Sequence, residues 1–370
     1  MSLSNSWVKH ISEQITPAIL VSKEQIEYNI SYFQSTLGFK NHEIFYPVKV
    51  NHNPIFIELM EKRGLGFEVG AISECEMLIN RGIDPSRIRY GNPVKAKESI
   101  QKAHQLGISC FGADSLNELE KIAVFAPKSS VYIRVSVNNS GAEWALTQKF
   151  GCPIPLVQSL FEFGKKLGLK MFGLSFHVGW NNNHIETWHH VFTQISGLCY
   201  QLKSQNIQLN SINIGGGFPA HLGNQYENLT RISKEILPFL TRFREDFNLE
   251  VVAEPGSFLV ANAGKMVVRV IERLKRDNRD WVYVDSGIFQ GFSWIMGGLQ
   301  YQIEAVCTDS PIIPMVVCGP TCDTHDVFSY EVLLPSNLSV GDLLVISPAG
   351  AYISSSKNYN GFSFPNEVVY

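Results

Sequence analysis

From about residue 43 to residue 254 the chain alternates short β-rich runs with longer segments of helical periodicity, and the alternation repeats eight times. The expected strands cover 44–50, 66–69, 87–90, 108–111, 131–135, 172–178, 211–214 and 250–253. Between them fall amphipathic stretches such as 72–81, 95–106, 116–125, 156–167, 184–202 and 229–247. Parallel strands joined by helical crossovers bury both faces of their sheet, so eight such units predict an α/β fold, a closed (β/α)8 TIM-like barrel with its helices outside. An open doubly wound sheet is the alternative. Eight units, with polar residues gathered where strands end, fit the barrel better.

After about residue 262 the texture changes. The runs 265–272, 280–284, 301–305, 313–318 and 342–346 are strand-like and joined by Gly, Pro, Ser and Asp turns, with no long amphipathic helix among them. They predict a second, C-terminal all-β domain, a barrel or sandwich, joined by a strand from 16–22. The expected division is a barrel over 23–261 and a β domain built from 1–22 and 262–370. A chain of 370 residues, 45% of them hydrophobic, has the material for two cores. A net charge of −3 gives no footing for nucleic acid, and no apolar run approaches a membrane span, so neither partner is expected. The N-terminus lacks a secretory pattern. Seven cysteines scattered without metal-type spacing read as reduced thiols of a cytoplasmic protein, six of them in the core, and no metal is expected.

In a barrel of this kind reactive residues collect where strands end. Lys49 closes the first expected strand, flanked by Val48 and Val50; an amine held in apolar surroundings loses basicity and becomes a nucleophile for Schiff-base chemistry. Glu68 ends the second strand, Asn92 follows the third, His177 ends the sixth and Glu254 the eighth. Gly215, Gly216 and Gly217 end the seventh, where side-chain-free backbone lets N–H groups approach an anion. Each alone has a plain explanation as a solvated rim residue, a core histidine or a tight turn. An amine, a phosphate nest, a flat imidazole and a carboxylate together are what pyridoxal 5'-phosphate requires.

The motifs Tyr46-Pro47-Val48-Lys49, His177-Val178-Gly179, Gly215-Gly216-Gly217-Phe218-Pro219, Glu254-Pro255-Gly256 and Gly319-Pro320-Thr321-Cys322-Asp323 resemble the ornithine/diaminopimelate decarboxylase family. So do Lys149-Phe150-Gly151, Gly350-Ala351-Tyr352 and Asn360-Gly361-Phe362, all in family order from about residue 18 to 365. The resemblance implies a pyridoxal-phosphate enzyme of the alanine-racemase-like fold, with Lys49 bonded to the cofactor. It implies His177 stacked on the ring, and Glu254 paired with the ring nitrogen. It places the phosphate on Gly215 to Gly217, with Gly256, Ser257 and Tyr352 beside it. Glu68 sits where the family has Asp, and Glu74 matches a family acid near the cofactor. The resemblance also implies a homodimer in which the β domain supplies Cys322, Asp323 and Tyr352 to the partner's site. There Cys322 would protonate the product, and Asp323, with Trp180 and Tyr359, would face the substrate. The reaction implied is decarboxylation of an L-amino acid, because a carboxylate keeps the ring nitrogen protonated and the ring able to accept electrons.

Several positions depart from the family pattern. Ser257 stands where an arginine is common, Trp180 where a small hydroxyl residue is common, and Ala145 where ornithine decarboxylases carry arginine. The segment 295–299 offers Gly297 and Gly298 where a second acid would read a distal ammonium, so Asp323 remains alone. Ornithine is therefore a poor expectation, and a larger or conjugated amino acid, as in siderophore assembly, a better one. Two other readings are a racemase of the same fold and a non-catalytic homologue that acts as a regulatory binding protein. Glu254 with Cys322 opposes the first, and retention of Lys49, His177, Glu254 and Cys322 opposes the second.

Overall fold

The computed structural model describes residues 15–138, 142–143, 149–306, 310–353 and 358–370. Ala145 and Cys307 lie outside the described residues. The chain divides into two compact units, Asn29–Phe258 and Met1–Tyr28 with Leu259–Tyr370.

Strand β1 (Ala18–Val21) and helix α1 (Lys23–Leu37) precede the repeating units. These then run β2 (Phe45–Pro47), α2 (Pro54–Lys62), β3 (Gly66–Val69), α3 (Ile72–Asn80), β4 (Ile88–Tyr90), α4 (Lys97–Gln105), β5 (Cys110–Ala113) and α5 (Leu116–Phe125). They continue with β6 (Ser130–Arg134), α6 (Val157–Lys166), β7 (Lys170–Ser175), α7 (Ile185–Ser204), β8 (Ser211–Asn213), α8 (Gln225–Glu245) and β9 (Glu250–Val252). The strands lie in sequence order in one 8-stranded parallel sheet. It closes where Ile44 bridges Ala253, with Phe45 N–H donating to Ala253 O at 2.9 Å and Ala253 N–H to Glu43 O at 3.0 Å. The barrel reading therefore holds over the open sheet. Local chemistry sets the helix starts: Asn53 Oδ1 accepts the Ile55 N–H at 3.0 Å while Pro54 occupies the first turn of α2.

One end of the barrel is plugged. The Arg89 guanidinium lies 4.0 Å from the Phe45 ring centroid and 3.1 Å from Glu250 Oε2, at the starts of β2 and β9. That stacking and pairing satisfies a buried cation. It leaves the opposite end, where strands run into their following loops, to hold reactive groups.

The second unit is a β-sheet domain. A short helix α9 (Gly256–Val260) leads toward β10 (Gly264–Arg276), followed by β11 (Arg279–Val284), β12 (Gln302–Ala305), β13 (Ile312–Cys318), β14 (Val327–Pro335), β15 (Leu343–Ser347) and β16 (Asn366–Val369). The sheet order is β12-β15-β10-β11-β13-β14, with β1 antiparallel to β10 and β16 parallel to β1. The long strand β10 pairs with β1 and β15 along its first part and with β11 beyond a register shift between Val270 and Glu272. A bulge of that kind lets one strand bend and serve two neighbourhoods. Leu20, Val267 and Val345 form a core beneath Val306, Leu343 and Val368.

Among the described residues, no helix is long and apolar enough to cross a membrane. Cys75, Cys152, Cys199 and Cys318 are buried, Cys110 is half-buried and Cys322 is exposed. The expectation of six core cysteines is corrected at Cys110, which opens β5 and is only half-buried, while Cys322 sits exposed in a loop past the end of β13.

Candidate active site

The first barrel strand stops at Pro47, earlier than the sequence suggests, and Val48–Val50 turn as a short 3-10 helix with both valines buried. Lys49 between them is not buried; its side chain is 56% exposed. This corrects the expectation of a buried amine: the apolar flanks mark what Val48 and Val50 touch. Lys49 Nζ stands 4.0 Å from Glu68 Oε2.

Glu68, on β3, is 5% exposed, and among the described residues its Oε2 has no hydrogen-bond partner. Burial, opposed by the Lys49 ammonium and reinforced by the Glu254 carboxylate, pushes its carboxyl up to about 7. Gly91, just past β4, lies flush against it. A Cβ there would strike Glu68 Oε1 and stand 2.7 Å from the Tyr132 hydroxyl. That hydroxyl is also buried without a partner among the described residues, and burial raises it well above the usual phenol range. In the sequence Tyr132 and Arg134 read as ordinary residues of a strand. Glu74 Oε2 accepts the N–H groups of Gly70 at 2.7 Å and Ala71 at 3.3 Å, capping α3. Asn92 donates its side-chain amide to Gly70 O at 3.1 Å, tying the loop after β4 to the end of β3.

His177 lies two residues past the end of β7, because the Gly179 N–H donates to its Nδ1 at 3.0 Å and bends the chain. Burial, with Arg134 and Lys49 adding positive charge nearby, drives the imidazole down to about 3. The ring is therefore neutral, with Nδ1 an acceptor. It packs on the glycine run: a Cβ at Gly216 would be 3.4 Å from Nε2 and 2.6 Å from Glu254 O. Gly215 and Gly217 have φ of +67° and +92°, and a Cβ on either would collide with the carbonyl oxygen of Phe176 or Gly179 respectively. Only glycine fits this turn. Asn213 fixes it from below. Its Oδ1 accepts the Gly215 N–H at 2.9 Å, while its Nδ2 donates to Glu254 Oε1 at 2.5 Å. Asn213 was legible only as one polar residue in an apolar strand.

Gly256 brings the next turn against the first, since its Cβ would lie 2.6 Å from Val50 Cγ2. Trp180 turns its indole N–H toward the Ser257 hydroxyl at 3.4 Å, with its ring 5.5 Å from His221. The two departures from the family pattern thus touch each other. The structure brings Lys49, Glu68, His177, Gly215, Gly216, Gly217, Glu254, Gly256, Ser257 and Trp180 to the loop end of one barrel.

Cys322, Asp323, Tyr352 and Tyr359 belong to the β unit. The loop after β13 is organised by Asp326, which is 2% exposed. Its carboxylate accepts the Ile288 N–H at 2.8 Å, the Thr321 hydroxyl at 2.7 Å and the Thr321 N–H at 3.1 Å. Cys322 is left exposed. Asp323 Oδ1 accepts the His325 N–H at 2.9 Å and lies 3.0 Å from His325 Nδ1, while Oδ2 accepts the Tyr359 hydroxyl at 2.7 Å. Those bonds, the His325 backbone first, hold Asp323 below the usual carboxylate range. Tyr359 stacks on Phe289 at 4.0 Å between centroids. Tyr352 has φ of +61° and its ring 5.7 Å from Trp294. Nothing in the sequence marks Asp326 or His325, which sit in the same loop as Cys322 and Asp323.

The barrel set fits pyridoxal phosphate on three structural grounds. Its glycine turn is a backbone cradle that no side chain could enter, His177 is a neutral aromatic face, and Glu254 is a carboxylate held in place by Asn213. Among the described residues no cluster of His, Cys, Asp and Glu could hold a metal.

Comparisons with known proteins agree. Residues 23–261 match the family described as pyridoxal-dependent decarboxylase, pyridoxal binding domain. A lysine/ornithine decarboxylase of Selenomonas ruminantium is 28% identical over 100% of this chain and 93% of its own length. An ornithine decarboxylase of Schizosaccharomyces pombe is 30% identical over 88% of this chain and 77% of its own. The crystal structure of lysine/ornithine decarboxylase from Vibrio vulnificus, complexed with cadaverine, superposes with a TM-score of 0.91 at 26% identity, covering 100% of both chains. The match across most of the chain, on the barrel that carries the lysine, the glycine cradle and the paired carboxylate, shows that this protein belongs to the pyridoxal-dependent decarboxylase family and is a pyridoxal-phosphate amino-acid decarboxylase.

Proposed function

We propose that the chain releases the α-carboxylate of an extended or conjugated L-amino acid as CO2, working as a cytoplasmic homodimer whose sites are shared between copies. The single observation that carries the reading is the convergence of Lys49, Glu68, His177, Gly215 to Gly217 and Glu254 at the loop ends of successive barrel strands.

When bound, pyridoxal phosphate supplies a sink for the electron pair that CO2 leaves behind. Lys49 Nζ is the attachment point. Glu254 holds the proton on the ring nitrogen, and Asn213 orients that carboxylate. His177 offers a neutral face; a cation there would oppose the protonated ring. The N–H groups of Gly215 to Gly217, with Gly256, Ser257 and Tyr352, receive the phosphate. Cys322 Sγ delivers a proton to the former α-carbon, and Asp323 and Tyr359 from the second copy face the substrate's far end. A racemase would be served by an unprotonated ring nitrogen, which a carboxylate at 254 opposes.

The substrate class is argued from Asp323. Both of its oxygens are engaged, by His325 and by Tyr359, so it has less to offer a bare ammonium than an open carboxylate would. Gly297 and Gly298 add room where a second acid would stand. An amino acid with a longer or conjugated side chain, of the kind used in siderophore or polyamine assembly, suits that end better than ornithine. The test is CO2 release from ornithine, lysine, arginine, meso-diaminopimelate and conjugated amino acids, with Lys49→Ala as the blank. Fastest turnover of ornithine would refute the substrate reading. No CO2 from any of them, from chain shown to carry the cofactor, would count against the activity.

A further inference from the structure

A water-facing lysine amine ordinarily keeps its proton up to about pH 10.4, and an ammonium has no lone pair with which to attack an aldehyde. The 56% exposure of Lys49 removes desolvation as the means of deprotonating it. A neighbouring carboxylate is then the group placed to take the proton. Glu68 Oε2 is 4.0 Å from Nζ, and no donor among the described residues hydrogen-bonds to it. We propose that Glu68 is the base that takes the proton from the Lys49 ammonium and so frees the amine to bond to the cofactor aldehyde.

The proton moves from Nζ to Oε2, converting an ammonium–carboxylate pair into an amine and a carboxyl. The nitrogen lone pair then bonds to the aldehyde carbon. The aldehyde oxygen leaves as water, taking one proton from the nitrogen and the other back from Glu68, so the carboxylate is regenerated. Burial favours the neutral carboxyl, and the groups around it set the balance. Lys49, after β2, and Arg134, ending β6, favour the ionised form, whereas Glu74 at the start of α3 and Glu254 after β9 oppose it. The Tyr132 hydroxyl on β6 faces the same carboxylate across Gly91. A base is most useful when it titrates near working pH, and Glu68 does, at about 7.

The inference rests on Lys49 as the attachment point, and the test separates the two. Apo full-length chain is mixed with pyridoxal phosphate, and the growth of the yellow lysine-bound band is followed from pH 6 to about pH 10, spanning both groups' ordinary range. Borohydride trapping identifies the lysine. In the wild type the loading rate should rise through about pH 7, where Glu68 ionises. E68Q should load on the order of a hundredfold more slowly near neutrality, with the deficit shrinking as pH approaches the lysine's own range. Equal rates at neutrality, or a deficit constant with pH, would overturn the role. If E68Q fails to fold, the same profile on E68D decides. A slower plateau with the inflection kept supports the proposal; a wild-type plateau or loss of the inflection overturns it. Wild-type chain with no trapped adduct at Lys49 would instead remove the attachment point itself.

Discussion

Two groups of the barrel site, buried Glu68 and half-buried His177, pull the pH dependence of stability in opposite directions. His177 titrates at about 3 in the fold, below the ordinary 6.5, so the unfolded chain binds a proton that the folded one refuses. Its contribution is full above about pH 6.5 and is lost as pH falls toward about 3. Glu68 titrates at about 7 against an ordinary 4.5, so the folded chain holds the extra proton. Its contribution is full below about pH 4.5 and is lost as pH rises through about 7. Between about 4.5 and 6.5 the two slopes oppose. Thermal unfolding of the apo chain across that window should therefore steepen on removal of one partner. In E68Q the Tm should fall faster on acidification than in wild type, and in H177N it should fall as pH rises. Parallel Tm profiles for all three proteins would mean that neither group is perturbed as described. None of this was legible in the sequence. The letters at 68 and 177 mark a carboxylate and an imidazole, but the shifts come first from burial and then from Lys49, Arg134 and Glu254, which long-range pairing brings near.

At the scale of elements, the strands and helices of the barrel were largely legible because hydrophobic periodicity is a local signal. Glycine-to-valine strand β3 and helix α5 begin and end where the pattern says. Failures occur where a distant partner decides. Strand β16 starts on Asn366 and Glu367, and only pairing with β1 makes it a strand. Strand β14 carries Tyr330 and Leu333 exposed on the sheet edge, which blurs the alternation a buried strand would show. A further hidden feature is a buried cation, Lys95, just ahead of α4. Lys95 Nζ donates to Asn92 O at 2.8 Å and Gly112 O at 2.6 Å, and pairs with Glu118 Oε1 at 2.8 Å. Burial lowers its ammonium to about 8. Lys95→Met should cost about 3 kcal/mol, the low end for breaking a buried pair, because Lys121 still pairs with the other oxygen of Glu118. Denaturant unfolding measures it. A cost within error of zero would show that the pair contributes no net stability.

For the whole molecule, the proposed division of labour assigns Lys49, His177 and Glu254 to a barrel and Cys322, Asp323 and Tyr352 to a β unit of a second copy. The two sets lie in different compact units of the chain, and the loop that presents Cys322 is built entirely from its own unit, around Asp326. That independence makes subunit exchange a direct test. K49A and C322A are each expected to be nearly inactive alone. If every site combines one barrel with one β unit of the other copy, random mixing makes half of the dimers mixed, and each mixed dimer holds one intact site of two. Activity should then recover to about a quarter of wild type, as follows for a symmetric two-fold dimer. If both residues of a site came from the same chain, no reassortment could join an intact Lys49 with an intact Cys322, and the mixture would stay as inactive as its parts. Light scattering on the same samples supplies the second arm. A monomer at assay concentration that turned over substrate would exclude sharing altogether, whatever the mixture does.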